Sequence, residues 1–198
     1  EKYDAAPLSE NVICGDKYRF TVITSRMIRL EYSENSEFTD MPTQSIICRN
    51  LGKVDFKVEE DEEKLAIITE HLTLNYRKNG AFNKTNLDIS LNYLMAHQDI
   101  ESCWNFGEQI KTLGGTARTL DTIDGALPLE DGVCARCGYA TIDDAPSHLI
   151  GEDGMVIARQ KDITDIYFFG YGHDYLGAVE DLQLISGIPP LLPAYALG

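Results

Sequence analysis

Apolar and polar side chains alternate along several short segments of this chain, and that period limits the folds open to it. The apolar members of four such segments are Tyr18, Phe20 and Val22; Ile28, Leu30 and Tyr32; Val54, Phe56 and Val58; and Leu72, Leu74 and Tyr76. A period of two directs one face of each strand onto a core and the other toward solvent. Turn signals such as Asn79-Gly80 separate the segments, and apolar runs at 134–142 and 165–171 indicate further buried strands. The pattern predicts an all-β fold, a sandwich of antiparallel sheets.

One helix is predicted over residues 173–187. Its apolar positions at near-helical spacing are Leu176, Val179, Leu182 and Ile185. Asp174 suits the N-cap, where a carboxylate accepts a hydrogen bond from a free backbone N–H group. Gly187, followed by Pro189-Pro190, ends the helix because these residues cannot continue it.

The end of the chain bears on its domain organisation. Residues 188–198 carry no charged side chain. An apolar tail of this kind would leave leucine and tyrosine side chains in water, so we expect the chain to continue into further structure. We therefore predict two parts, a β-sandwich domain over 1–171 and a helix with a linker over 172–198.

Charge and composition exclude several classes of function. The net charge of −15 over 198 residues, with no basic run, argues against nucleic acid as a partner. No stretch of about 18 apolar residues is present, so we expect no membrane span. An odd count of five cysteines without a dense framework favours free thiols, a reducing compartment and a cytoplasmic location. The oligomeric state stays open.

The periodicity disappears over 101–133, which contains the stretch GGTARTLDTIDGA. A loop this long in a compact domain is usually functional or disordered. Gly114-Gly115 lacks the phosphate-loop pattern and indicates a turn or bulge. Asp121 and Asp124 suggest a glycosidase carboxylate pair, a calcium site or an Asx turn. The calcium pattern is incomplete and two aspartates in one loop can meet the glycosidase distance by accident, so residue chemistry alone indicates a solvent-exposed loop.

Other candidate ligands are isolated in the sequence. Cys134 and Cys137 form one CxxC, but no second pair completes a four-ligand zinc site. Alternation around them predicts a strand that places the two thiols on opposite faces, so we interpret them as unrelated. The histidines, which belong to no motif, are His71, His97, His148 and His173. We therefore predict no metal site and no cofactor.

Four segments together resemble glycoside hydrolase family 31, the family of α-glucosidases and α-xylosidases. RFTVITSRMIRLEYSENSEFTDMPTQSIICRN is similar to the family's opening strands. WNFGEQ with GGTARTLD resembles the G-x-G-E segment and the loop after it, and DGVCARCGYATIDD resembles the next strand pair. YFFGYGHDYLGAVEDLQLISGIPPLLPAYALG is similar to the passage from the N-terminal domain through a helix into the first barrel strand. Ala194 departs from the arginine common in relatives, which implies a local packing difference.

The resemblance implies an N-terminal β-sandwich of the galactose-mutarotase type that precedes a (β/α)8 barrel. The family's nucleophile and acid/base are aspartates on the barrel, so no residue of this chain is assigned a catalytic role. In several relatives an aspartate on a loop of the N-terminal domain contacts the sugar, and the matching position here is Asp121. Arg118 and Asp124 are its neighbours on the same loop.

The implied function is that of a non-catalytic N-terminal domain of a retaining α-glycosidase, an enzyme that hydrolyses O-glycosyl bonds. The full-length protein is expected to be an α-glucosidase, and the fragment alone is expected to be inactive. The implied partner is an α-glucoside shared with the barrel.

Two other functions stay open. A free-standing carbohydrate-binding sandwich needs exposed aromatic rings that stack on sugars, and we interpret the only tryptophan, Trp104, as a core residue. A mutarotase-type epimerase needs histidine and glutamate bases on the sheet face, and the histidines are not placed for that.

Overall fold

The computed structural model describes residues 4–92, 103–116, 121–159 and 161–188, together with residues 193 and 195. After a short 3-10 turn, Ser9–Asn11, these residues form twelve strands and one helix. The strands are β1 Val12–Cys14, β2 Tyr18–Thr24, β3 Met27–Ser33, β4 Lys57–Glu60, β5 Lys64–Ile68, β6 Leu72–Arg77, β7 Leu87–Leu91, β8 Cys103–Asn105, β9 Ala140–Asp143, β10 Leu149–Ile150, β11 Val156–Ile157 and β12 Ile163–Phe169. The helix, α1, is Tyr175–Ser186.

Ten of the strands form two five-stranded sheets. The order is β1-β2-β3-β12-β9 in the first sheet and β4-β5-β6-β7-β8 in the second. Every pairing is antiparallel, and β10 with β11 makes a separate small hairpin. The predicted all-β class of antiparallel sheets is confirmed.

The main core lies between the two sheets. Phe20 and Phe168 of the first sheet belong to one buried cluster with Leu74 and Trp104 of the second. The rings of Trp104 and Phe168 lie 5.3 Å apart between centroids. Burying a side chain of this size stabilises the fold by about 1.5–3 kcal/mol, so these contacts hold the two sheets face to face. The interpretation of Trp104 as a core residue is confirmed.

A second buried cluster lies on the opposite face of the first sheet. It joins Met27 and Phe169 of the sheet to Ala178 and Ile185 of α1. The Asp174 carboxylate accepts a hydrogen bond from the Gly177 N–H at 3.1 Å, which makes it the N-cap. The first sheet is therefore sandwiched between the second sheet and a helical layer.

The helix is confirmed, but its predicted apolar stripe is wrong in part. Leu176 is 78% exposed and Val179 is exposed as well, whereas Ala178 and Ile185 are the buried residues. The helix packs on the sheet through Ala178 and Ile185, so its buried face is rotated away from Leu176. Gly187, at φ 92°, ends the helix as predicted.

The alternation in β2 and β3 predicts one solvent-facing side, and the structure shows that this side is buried. Arg19, Arg29 and Glu31 all lie in the interior. Residues 38–51, here called the covering segment, cross over them, and the Thr39 carbonyl oxygen accepts hydrogen bonds from both arginines. The period of two is correct, but both faces of the first sheet are covered.

Two further strand predictions need correction. Val54 and Phe56 precede the strand they were expected to join, and all four residues of β4 are exposed. In the run 134–142 only Ala140–Asp143 is a strand, because residues 134–138 turn sharply. The run 165–171 is confirmed as most of β12. The predicted boundary between 1–171 and 172–198 stays a prediction.

Candidate functional site

A long loop connects the two sheets at one side of the sandwich. It runs from the end of β8, the edge strand of the second sheet, to the start of β9, the edge strand of the first. The Tyr139 hydroxyl donates a hydrogen bond to the Cys103 carbonyl oxygen at 3.3 Å, so the two ends of the loop are tied together. The loop that the sequence singled out is thus anchored on both sheets.

The base of this loop is closed by a short ladder of backbone hydrogen bonds. The Leu113 N–H donates to the Cys134 carbonyl oxygen at 2.8 Å, and the Gly115 N–H donates to the Glu130 carbonyl oxygen at 2.6 Å. The Thr112 hydroxyl adds a hydrogen bond to the Asp131 carboxylate at 2.8 Å. We call this arrangement the loop clasp, and the segment above it, residues 116–130, the clasped loop.

The loop clasp explains Gly115 of the double glycine, together with Gly132. A Cβ atom on Gly115 would lie 2.8 Å from the Asp131 carbonyl oxygen, and one on Gly132 would lie 2.8 Å from the Gly114 carbonyl oxygen. Side chains do not fit at such distances, so these positions need glycine for the two backbones to approach. The turn-or-bulge interpretation is refined to a close backbone crossing.

The clasped loop presents its carboxylates to solvent. Asp121 and Asp124 are both exposed, as is Ile123 between them. Thr122 at φ 63° lies within this group and Gly125 at φ 106° follows it, and both bend the backbone sharply. The structure therefore brings two of the three predicted site residues onto one exposed turn. The third, Arg118, lies outside the described residues.

The two cysteines of the CxxC belong to different layers. Cys134 packs against the cluster beneath α1, whereas Cys137 packs against the core between the sheets. Burial raises the pKa of the Cys134 thiol. This placement supports two unrelated thiols, although a turn rather than a strand separates them. No group of three or more metal-ligating side chains occurs within the part of the chain that the structure describes.

Sequence reasoning missed a buried ionic network on the outer face of the first sheet. Arg29 donates to both carboxylate oxygens of Asp165, each at 2.7 Å, and Arg19 donates to Glu31 at 2.6 Å. Arg159 pairs with Asp165 from the other side. Burial raises the pKa of Asp165, but Arg29 and Arg159 outweigh it and lower that pKa to about 2.

The network is structural rather than a substrate site. Its members are enclosed beneath the covering segment, where Arg49 Nε donates to the Tyr167 hydroxyl at 2.6 Å. The sequence carried one signal for it, because Arg29 and Glu31 occupy one face of a strand whose other face is apolar. The network fixes the covering segment to the sheet.

Exposed aromatic rings are scarce in the part of the chain that the structure describes. Among the aromatic residues that the structure describes, Tyr195 alone is largely exposed, at 88%. Trp104 is buried. A carbohydrate-binding module that stacks sugars on a sheet needs aromatic rings on an exposed face, so this arrangement weighs against that alternative.

The three histidines that the structure describes are dispersed. His71 is half-buried in the turn between β5 and β6, His148 is exposed, and His173 contacts the Arg136 carbonyl oxygen at 3.0 Å. His97 lies outside the described residues. The described histidines do not share a site, which disfavours an epimerase. Within the described residues, no helix is long and apolar enough to cross a membrane.

Comparison with known proteins supports the fold independently. No family model matches the chain, and no curated protein matches it. Two solved structures of a dextranase of glycoside hydrolase family 31 from Flavobacterium johnsoniae share its fold. One is a mutant complexed with isomaltotriose, at 17% identity and a TM-score of 0.53, and the other is complexed with glucose, at 15% and 0.52.

The extent of these matches is as informative as their score. Each covers 100% of this chain and 30% of the dextranase, so the chain spans less than a third of the protein it resembles. At this identity the likeness establishes the fold. The resemblance read from the four sequence segments is therefore confirmed as a shared fold with part of a family 31 enzyme.

Proposed function

We propose that this chain is the N-terminal, non-catalytic β-sandwich domain of a retaining α-glycosidase of family 31, which hydrolyses the O-glycosyl bonds of α-glucosides. The observation that carries this proposal is the match over the whole chain to 30% of a dextranase. The catalytic aspartates would belong to a (β/α)8 barrel. The proposed activity of the full-length protein is that of an α-glucosidase, and the chain alone is inactive.

The clasped loop is the part of the chain that we propose to meet the sugar. Asp121 is exposed on it, and a carboxylate can accept hydrogen bonds from two adjacent sugar hydroxyls. The loop clasp supports this role because it fixes the base of the loop on both sheets. Asp124, close to Asp121, and Arg118 complete the proposed contact group.

We also propose a cytoplasmic protein. All five cysteines are free thiols, which supports a reducing compartment. The proposed chemistry needs no metal and no cofactor, because two carboxyl groups suffice for a retaining glycosidase.

Substitution of Asp121 in the full-length enzyme tests the substrate contact. Asp121→Ala should lower kcat/KM on an α-glucoside about 10- to 100-fold, because a hydrogen bond to a charged group contributes about 1.5–3 kcal/mol. Steady-state kinetics on p-nitrophenyl α-glucoside and on isomaltotriose measure the effect.

Asp55→Ala is the matched control for that experiment. Asp55 is also an exposed loop aspartate, and no hydrogen bond or ion pair to its side chain occurs among the described residues. Its replacement should leave kcat/KM unchanged. Equal kinetics for the two variants would remove the substrate role of Asp121.

The isolated chain tests the catalytic assignment. The purified chain of 198 residues should fold but release no p-nitrophenol from p-nitrophenyl α-glucoside. Circular dichroism with a cooperative unfolding transition confirms folding in the same sample. Turnover by the folded chain would overturn the non-catalytic role.

A further inference from the structure

The turn between β2 and β3 carries an arginine that joins three elements. Arg26 Nη1 donates to Asp174 Oδ2 at 2.6 Å, at the start of α1. Its guanidinium carbon lies 5.7 Å from the centre of the Tyr171 ring, which leads into the helix. Its Nη2 lies 3.3 Å from Nε2 of His71, in the turn between β5 and β6. Arg26 therefore connects both sheets to the helix.

Hydrogen-bond chemistry fixes the protonation state of His71. A guanidinium group donates and cannot accept, so His71 Nε2 must be the acceptor from Arg26. The ring proton then resides on Nδ1, which lies 2.9 Å from the Ser25 hydroxyl and donates to it. This arrangement requires a neutral ring. Burial and the positive charge of Arg26 lower the pKa of His71, in agreement with that requirement.

Protonation of His71 would break this arrangement. A proton on Nε2 would point at the Arg26 guanidinium, which replaces a hydrogen bond with the repulsion of two cations about 3.3 Å apart. Glu70 lies 3.9 Å from Nδ1, but its side chain is 80% exposed and its attraction is screened by solvent. Arg26 would have to withdraw from His71.

The helix side of the contact carries the remaining charged groups. Asp174 and Asp181 face Arg26 and Tyr171 there, and Tyr171 donates a hydrogen bond to Asp181. The β7 side contributes the uncharged Asn92, whose N–H donates to the His71 carbonyl oxygen at 2.8 Å. Among the described residues, the cation that opposes a charged His71 is therefore Arg26.

Asp174 has two tasks at the helix start. Its Oδ1 accepts the capping hydrogen bond from the Gly177 N–H, while its Oδ2 accepts from Arg26. Any movement of Arg26 removes the partner that orients this carboxylate. The first turn of α1 depends on that carboxylate, because its backbone N–H groups have no acceptor within the helix.

We propose that His71 and Arg26 form a proton-sensitive latch, which holds the first turn of α1 at neutral pH and releases it when His71 is protonated. The latch is a property of the fold and does not depend on the proposed glycosidase function. The linkage between proton binding and folding gives the direction of the pH dependence. Because the pKa of His71 is lowered in the folded state, its contribution is complete above the ordinary value of about 6.5 and is lost as the pH falls below it.

Hydrogen exchange on the whole chain tests the latch. Protection of the Ala178 amide, corrected for intrinsic exchange, should fall about fivefold between pH 7 and pH 5, which corresponds to the loss of a typical helix N-cap. Protection of the Leu74 amide in β6 should stay constant. His71→Gln, which can still accept from Arg26 but does not titrate, should abolish the loss. His148→Gln alters an exposed histidine, and in this variant the pH-dependent loss of Ala178 protection should remain.

Titration of His71 by NMR provides a second, independent measurement. Its pKa should lie below 6.5 in the native chain and should rise in Arg26→Met, which removes the facing cation. A native pKa at or above the ordinary value, or equal protection of Ala178 at both pH values, would overturn the proposal. A pH-dependent loss of Ala178 protection that persists in His71→Gln would also overturn it.

Discussion

The two sheets are built from the same kind of alternating strand, yet they have different surroundings. The first sheet is buried on both faces, by the second sheet on one side and by α1 with the covering segment on the other. The second sheet keeps one polar face in solvent, where Asn75 donates to Asp88 at 2.8 Å. Alternation therefore identifies the two faces of a strand, but it does not say how many of them will be covered.

Two ion pairs show how this difference in burial changes the contribution of an ion pair to stability. Arg29 and Asp165 on the first sheet are 0% exposed and make two parallel hydrogen bonds. Lys57 and Glu59 on β4, an edge strand of the second sheet, pair at 2.5 Å but are 70% and 55% exposed. A buried pair becomes costly when one partner is removed, whereas an exposed pair contributes little because water competes for both groups.

The largest effect should come from removing the carboxylate at the centre of the buried network. Asp165→Ala should lower the free energy of unfolding by about 3–5 kcal/mol, because it leaves the buried Arg29 and Arg159 without their shared anion. Urea unfolding followed by circular dichroism measures this loss. Asp88→Ala, on the solvent face of the second sheet, should cost no more than about 1 kcal/mol. Similar losses of unfolding free energy in the two variants would contradict the difference in burial between the two sheets.

A smaller effect should follow from disturbing the junction between the sheets. Gly115→Ala places a Cβ atom 2.8 Å from the Asp131 carbonyl oxygen and should lower the free energy of unfolding by about 1–3 kcal/mol. The clasped loop should then be cleaved faster in limited proteolysis. Thr116→Ala, at an exposed neighbouring position, should stay within about 0.5 kcal/mol of the native chain. An unchanged cleavage rate in Gly115→Ala would show that the loop clasp does not hold the loop.

The smallest effect should come from the exposed pair. Lys57→Ala should change the free energy of unfolding by less than about 0.5 kcal/mol, and raising the salt concentration should remove even that. Urea unfolding at low and high salt makes the comparison. A loss above about 2 kcal/mol would mean that β4 is covered by part of the chain, contrary to its exposed pattern.

The sequence predicted the elements whose signals are local. Strands β2, β3, β6 and β12 follow from alternation or apolar runs, and α1 follows from its cap and its terminal glycine. Strands β5 and β7 were missed. In β5 the period is hidden because Ala66 and Ile68 are apolar like Leu65 and Ile67, whereas β7 alternates clearly over Leu87–Leu91. Strand β7 could therefore have been predicted from alternation alone.

The features that depend on distant parts of the chain were out of reach. The covering segment has no periodic pattern, so nothing local showed that it would bury Arg29. Likewise, the need for Gly115 arises from Asp131, which joins it only in the folded chain. At the candidate site, chemistry predicted an exposed polar loop, and the exposure of Asp121 and Asp124 confirms it. The substrate contact itself rests on the resemblance and stays a prediction.

The position of β12 has a consequence for how the chain can fold during its synthesis. The second sheet is a meander whose five strands follow one another from Lys57 to Asn105. The first sheet instead places β12 between β3 and β9, and the Arg29–Asp165 contact joins residues 136 positions apart. Contacts between distant residues form late because they require a large loop to close. A nascent chain that stops before Ile163 can therefore complete the second sheet. At that stage the hairpin of β2 and β3 lacks its β12 neighbour and still exposes its arginine side chains to water.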